Sequence, residues 1–120
     1  MGGHEGLVIA HDAAERHDIT TVEGEPLDPP ATVRVLGDGQ QMLLVEVVMP
    51  AGGSSPPHVH DHESVGYVVR GRVQTQIAGV GQELGPGDGF RHPPGVEHSM
   101  RALDDGATWL EVKSPPTRTW

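Results

Sequence analysis

Apolar residues run through this chain in short bursts, many of period two, broken at close intervals by glycine and proline. The strongest burst is "QMLLVEVVMP", Gln41 to Pro50, almost wholly aliphatic and stopped by proline; it predicts a central strand. "ATVRVLG" (Ala31 to Gly37) predicts a neighbouring strand, and "GDGQ" (Gly37 to Gln40) the turn between the two. Within "SVGYVVRGRVQTQIAG" (Ser64 to Gly79), Val73, Thr75 and Ile77 alternate with Gln74, Gln76 and Ala78, as in a half-buried strand. "TWLEVKSPP" predicts a last strand and "GLVIA" (Gly6 to Ala10) a first one. Only the polar "AHDAAERHDI" has any helical character, while "GEPLDPP" and "PAGGSSPP" read as loops and "SPPTRTW" as an extended tail. Many short strands with Gly/Pro turns predict an all-β sandwich or small barrel.

Gly (17) and Pro (11) make up about a quarter of the 120 residues, a level at which disorder competes with folding. Their placement as punctuation between β-rich runs argues for order. No repeat or second domain is visible. The organisation expected is one domain: an N-terminal strand and arm over 1–30, a β-barrel over 31–114, and a tail over 115–120.

Charge narrows the function classes. With 17 acidic against 8 basic residues, a formal charge of -9 argues against nucleic acid and anionic membranes as partners. The absence of cysteine excludes disulfides, thiolate metal sites and cysteine nucleophiles. "MGGHEGLVIAHDAAERHD" has neither the basic start nor the apolar run of a signal peptide, and no apolar stretch is of membrane-spanning length. A soluble, cytoplasmic protein is the expectation.

The chemistry concentrates in "PPHVHDHESVGYVVRG", Pro56 to Gly71, where His58, His60 and His62 fall at alternate positions. In an extended segment these side chains share a face. Three imidazoles are costly to bury alone and are good ligands for a divalent metal. "LGPGDGFRHPPGVEHSMRA" adds His92 and His98. His4, His11 and His17 lie in a polar stretch and read as solvated. Glu46 and Glu111 sit in otherwise apolar strands; an inward-facing one would be a general base, although a lone strand glutamate more often faces solvent.

The spacings carry a resemblance. Gly52, five residues, His58-Val59-His60, Ser64, six residues and Gly71 is similar to the first cupin motif, G-x5-H-x-H-x3,4-E-x6-G. Gly87, five residues, Pro93-Pro94-Gly95, two residues and His98 is similar to the second, G-x5-P-x-G-x2-H-x3-N. Together they cover about residues 52 to 102. The resemblance implies a jelly-roll β-barrel, the double-stranded β-helix, with a metal inside it.

Carried over residue by residue, it implies that His58, His60 and His98 hold one divalent transition metal: iron, manganese, nickel or zinc. The family's glutamate ligand falls on Ser64 and its terminal asparagine on Ala102, so this chain departs from the commonest three-histidine, one-glutamate set. Glu63 is one position early, and a bulge would be needed to turn it inward. His62 is an alternative fourth ligand, and His92 a further residue of the barrel mouth. Tyr67, Phe90 and Trp109 are the aromatic residues expected to line the pocket. A three-imidazole centre keeps the full charge of its ion and favours an anionic, chelating small molecule. This suits a dioxygenase-like enzyme, a non-oxidative isomerase, lyase or polyketide cyclase, or a non-catalytic ligand-binding and sensing domain. The resemblance further implies a homodimer, with the Gly6–Ala10 segment near its interface.

Overall fold

The computed structural model describes residues 6–120. Among these, a short 3₁₀ turn, His11–Ala13, precedes seven strands: β1 (Glu15–Val22), β2 (Glu25–Asp38), β3 (Leu43–Met49), β4 (Glu63–Ile77), β5 (Val80–Leu84), β6 (Gly89–His92) and β7 (His98–Ser114). All pairings are antiparallel, in the order β1-β2-β3-β7-β4-β5, with β6 also on β4. The chain forms a jelly-roll barrel.

Period-two patterning builds it. In β3, Leu43, Val45, Val47 and Met49 point inward, and in β2 Leu27, Ala31, Val33 and Val35 do the same. With Val68, Val73, Ala102 and Trp109 they form one continuous apolar core. Two long strands, β4 and β7, each serve two halves of the barrel. Glu63–Gly71 pairs with Ala107–Ser114, and Val73–Ile77 pairs with His98–Ala102. Register shifts at Val68/Arg70 and Gly71/Val73 mark the corner between the halves. Gly71 sits at this corner with φ +77°, where a Cβ would lie 2.0 Å from the Gly106 carbonyl oxygen. No larger residue fits.

Three expectations are corrected. Gly6–Ala10 is a turn and bend, not a strand, and Leu7 (69 % exposed) and Val8 (89 %) lie in solvent. The end of the sheet is instead taken by Glu15–Val22, drawn mostly from the segment given helical character. As an outermost strand it needs to bury only Ile19 and Val22, so its polarity is no obstacle. The Pro-rich "GEPLDPP" lies largely within β2. Pro29 and Pro30 are accommodated where the pairing jumps from Ile19↔Ala31 to Thr21↔Pro26, which leaves residues 27–30 outside the regular ladder, and Pro26 pairs at the hairpin end of the strand. The C-terminal segment packs back over the barrel: Trp120 lies against the core and stacks on His17, and Arg118 pairs with Glu15 and Asp38. His4 lies outside the described residues.

Candidate metal centre

The second motif's turn and the first motif's loop are stitched together by the backbone. His58 and His98 form a reciprocal pair, each N–H donating to the other's carbonyl at 2.9 Å. The Gly95 N–H, in the Pro93-Pro94-Gly95 turn, donates to the His60 carbonyl at 2.9 Å. Two segments almost forty residues apart are thus locked in register. The rings of His58 and His98 come to 4.3 Å between centroids, and those of His58 and His60 to 4.6 Å. One ring nitrogen from each of His58, His60 and His98 lies within 4.8 Å of the other two.

The tautomers follow from the acceptors. His58 Nδ1 is 2.7 Å from the Pro56 carbonyl, His98 Nδ1 is 3.2 Å from the Val96 carbonyl, and His60 Nδ1 is 2.9 Å from a Glu23 carboxylate oxygen. Carbonyls and carboxylates only accept, so each Nδ1 carries the proton and each Nε2 keeps its lone pair. Burial keeps the rings neutral. It pushes His60 down to about 3, with the neighbouring imidazoles adding to the effect, and it lowers His58 and His98 as well. Three neutral imidazoles with free Nε2 atoms and fixed orientations fit a divalent ion.

Two further histidines, His92 and His62, flank this group without joining it. His92 is fully buried, its ring 4.0 Å from that of His98 and nearly parallel to it. Thr75 donates its hydroxyl to the Ser99 carbonyl (3.2 Å) and accepts from His92 Nε2 (3.1 Å). His62 is 3 % exposed and stacks on His60 at 4.6 Å; its Nε2 is buried with no hydrogen-bond partner among the described residues. Burial pushes His92 to about 3 and His62 to about 4.

Ser64 is buried and faces inward, opposite His92 on β6 and Lys113 on β7. Glu63 points outward and receives Arg91 at 2.7 Å. No register shift lies near it, so the bulge that would turn it inward is not there. Tyr67 is placed on the outer face, 52 % exposed. Phe90 packs over Gly66, which has no Cβ to obstruct it, and against His92, beside the cavity rather than in its wall. Trp109 does line the cavity. Of the two strand glutamates, Glu46 faces outward to His11 (2.8 Å) and Arg34, whereas Glu111 is buried inside.

The cavity, about 60 Å³, is apolar on one side, with Leu27, Val47, Met49 and Met100 among its lining. On the other side are His58, His60, His92, His98, Glu111, Lys113 and Thr119. Glu111 accepts from Trp109 Nε1 at 2.9 Å and lies 3.7 Å from Lys113 Nζ, which donates to Thr119 at 2.8 Å. Burial alone would raise the Glu111 carboxyl, but the Lys113 ammonium and the indole N–H outweigh it and hold it below the usual range. The sequence reading did not single out Lys113, Glu23 or Thr119. Lys113 carried a signal: it shares the inward parity of Trp109 and Glu111 along β7.

Comparison with known proteins agrees with this architecture. The cupin domain family model matches residues 45–113, and the chain belongs to that family. Its fold is similar to an RmlC-like cupin from Shewanella frigidimarina, with TM-score 0.77, 26 % identity, and 90 % of this chain and 89 % of that one covered. It is similar also to KdgF from a Halomonas species, with TM-score 0.78, 25 % identity, and 92 % and 95 % covered. Over 59 residues the sequence is 37 % identical to the dimethylsulfoniopropionate lyase DddQ of Ruegeria pomeroyi, covering 48 % of this chain and 29 % of the lyase. The chain thus matches less than a third of that relative's length. Among the described residues no helix is long and apolar enough to cross a membrane.

Proposed function

We propose that this cupin is a metal-dependent enzyme of the lyase or isomerase kind, acting on a small carboxylate. The observation that carries the reading is Glu111, an ionised carboxylate buried in the same cavity as the three imidazoles and outside their converging group. In this reading His58, His60 and His98 hold a divalent ion, whose identity (iron, manganese, nickel or zinc) the imidazole set leaves open. That ion would supply Lewis acidity toward the substrate. Lys113 is the cation within the cavity wall and anchors the substrate's carboxylate. Once engaged there, Lys113 stabilises Glu111 less, and the proton affinity of Glu111 rises with the substrate in place. Glu111 then takes a proton from carbon. The C–H electron pair becomes a carbon–carbon double bond as the neighbouring carbon gives up a bond: in a lyase the leaving group departs with its electron pair, and in an isomerase an existing double bond shifts and its far end takes the proton back. The likeness to a lyase of a small carboxylate supports this class.

The dioxygenase-like reading shares the three-imidazole set but gives the buried carboxylate no task. A sensing domain would likewise need no proton acceptor. The metal-loaded protein, incubated anaerobically with small carboxylates including dimethylsulfoniopropionate, should show elimination or carbon-bound deuterium exchange by proton NMR in D₂O. Glu111→Gln should lower that rate by roughly 10²- to 10⁴-fold with metal content unchanged. Substrate loss only with stoichiometric oxygen uptake would overturn the reading in favour of dioxygenation.

We propose also that the protein is a homodimer. Val65, Tyr67 and Val69 project from the outer face of β4, each about half exposed, with Val112 and Leu110 opposite the first two on β7. Such an apolar stripe on a sheet face suits a self-complementary contact. Sedimentation velocity at micromolar concentration should give twice the 12.7 kDa chain mass; monomer alone would contradict it.

A further inference from the structure

The β1–β2 hairpin reaches into the metal centre. Its turn is Glu23-Gly24, with φ +49° and +81°, so both central residues are left-handed, as a two-residue turn of this hand requires. The β4–β5 hairpin makes the same turn with Ala78-Gly79, at φ +51° and +81°. Alanine therefore satisfies this geometry elsewhere in the same molecule, and the turn itself does not call for a carboxylate. Yet Glu23 stands here, in a conformation that costs a side chain more than it costs glycine, and its carboxylate is 2.9 Å from Nδ1 of the buried His60. His58 and His98 hand their Nδ1 protons to carbonyls of their own loops, two residues away. His60 alone among the three relies on a side chain from a different hairpin, 37 residues distant.

We propose that Glu23 is a positioning residue for the metal centre: it holds His60 in the tautomer and ring orientation that present Nε2 to the ion. The inference rests on the metal-binding reading above and adds to it a residue outside both cupin motifs. A carboxylate behind a ligating imidazole fixes the ring and raises its basicity as a donor, and losing such a partner typically weakens metal binding by roughly 10- to 100-fold. Glu23 is itself half exposed and belongs neither to the converging ligand group nor to the cavity lining, so its role is to act through His60.

The test uses the whole chain and Ni²⁺ or Co²⁺ as probes, titrated by calorimetry against a competing chelator. Glu23→Ala and Glu23→Gly should each weaken binding by roughly 10- to 100-fold. Glu23→Gln, whose amide oxygen still accepts from Nδ1, should recover most of it. Glu23→Gly also relieves the left-handed backbone, so its metal-free melting temperature should hold or rise while its metal affinity falls; a merely structural residue would move both the same way. Nitrogen-15 NMR of the metal-free protein should show His60 as the Nδ1–H tautomer in the wild type and a tautomer mixture in Glu23→Ala. Wild-type affinity in Glu23→Ala and Glu23→Gly would overturn the positioning role alone. A wild-type protein that binds neither ion would overturn the metal-binding reading and this inference together.

Discussion

His98→Ala should abolish stoichiometric binding of a divalent ion and with it the metal-dependent rise in melting temperature. His98 occupies the hub of the cluster. Its ring faces those of His58 and His60 at 4.3 and 5.3 Å and stacks on His92 at 4.0 Å. Two imidazoles that remain after its removal bind a divalent ion far more weakly than three, because the chelate loses a preoriented donor. An ion at a hundred times its dissociation constant stabilises a protein by about 2.7 kcal/mol, so its loss is readable as a melting shift of several degrees. The backbone contribution of His98, its reciprocal pairing with His58, survives truncation to alanine. The metal-free variant should therefore still fold, losing only the ring's packing and its Val96 hydrogen bond. His11→Ala, at an exposed histidine paired with Glu46 on the outer face, should leave metal binding untouched. A His98→Ala protein with one equivalent of metal and an undiminished melting shift would mean that the ion lies elsewhere.

Parity explains most of what the sequence disclosed and what it hid. The spacing of His58, His60 and His98 against two motifs is a local pattern, and the structure brings these three rings together because the turn after Pro93 and the loop after Pro57 bond to each other. The strong aliphatic alternation in β3 was equally plain. Tyr67 was placed in the pocket by its aromatic character alone. Counting in twos from Ser64 puts Gly66 and Val68 inside and Val65, Tyr67 and Val69 outside, as observed. The same count from Trp109 puts Glu111 and Lys113 inside, against the general expectation that strand charges face water. Burial of that charged pair is tolerable because each partner is hydrogen-bonded as well as near the other. β1 escaped notice because an outermost strand with two buried residues has almost no hydrophobic signal. Glu23 could not be found from the sequence at all: its relation to His60 exists only once two hairpins are packed.

The metal-free protein should begin to lose stability on acidification well above the pH at which carboxylates protonate. Five histidines, the buried His60, His62, His92 and His98 and the half-buried His58, have folded pKa values below the ordinary 6.5, with His60 and His92 at about 3 and His62 at about 4. Above pH 6.5 both states are neutral at these positions and pH has little effect. Below it the unfolded chain takes up protons that the folded cluster refuses, so stability falls as pH falls, until the folded pKa values are reached. Each such histidine contributes about 1.4 kcal/mol per pH unit across that window, so the three with the lowest values contribute about 4 kcal/mol per unit. Glu111 acts in the same direction: its lowered carboxyl stabilises the fold above the unfolded value of about 4.5, and that contribution is lost as pH drops through the folded one. Against a total stability of about 5–15 kcal/mol, unfolding is expected roughly one to four units below pH 6.5. Circular dichroism melts between pH 7.5 and 4 would show it as a steep fall in melting temperature. His92→Gln removes one of the refused protons and should flatten the slope by about 1.4 kcal/mol per unit, provided the amide keeps the Thr75 contact. A bound ion occupies the lone pairs that protons would take, so metal-loaded protein should unfold at lower pH than metal-free protein. A melting temperature that stays level from pH 7 to pH 4.5 in the metal-free protein would show that the cluster is hydrated and titrates as free imidazole does.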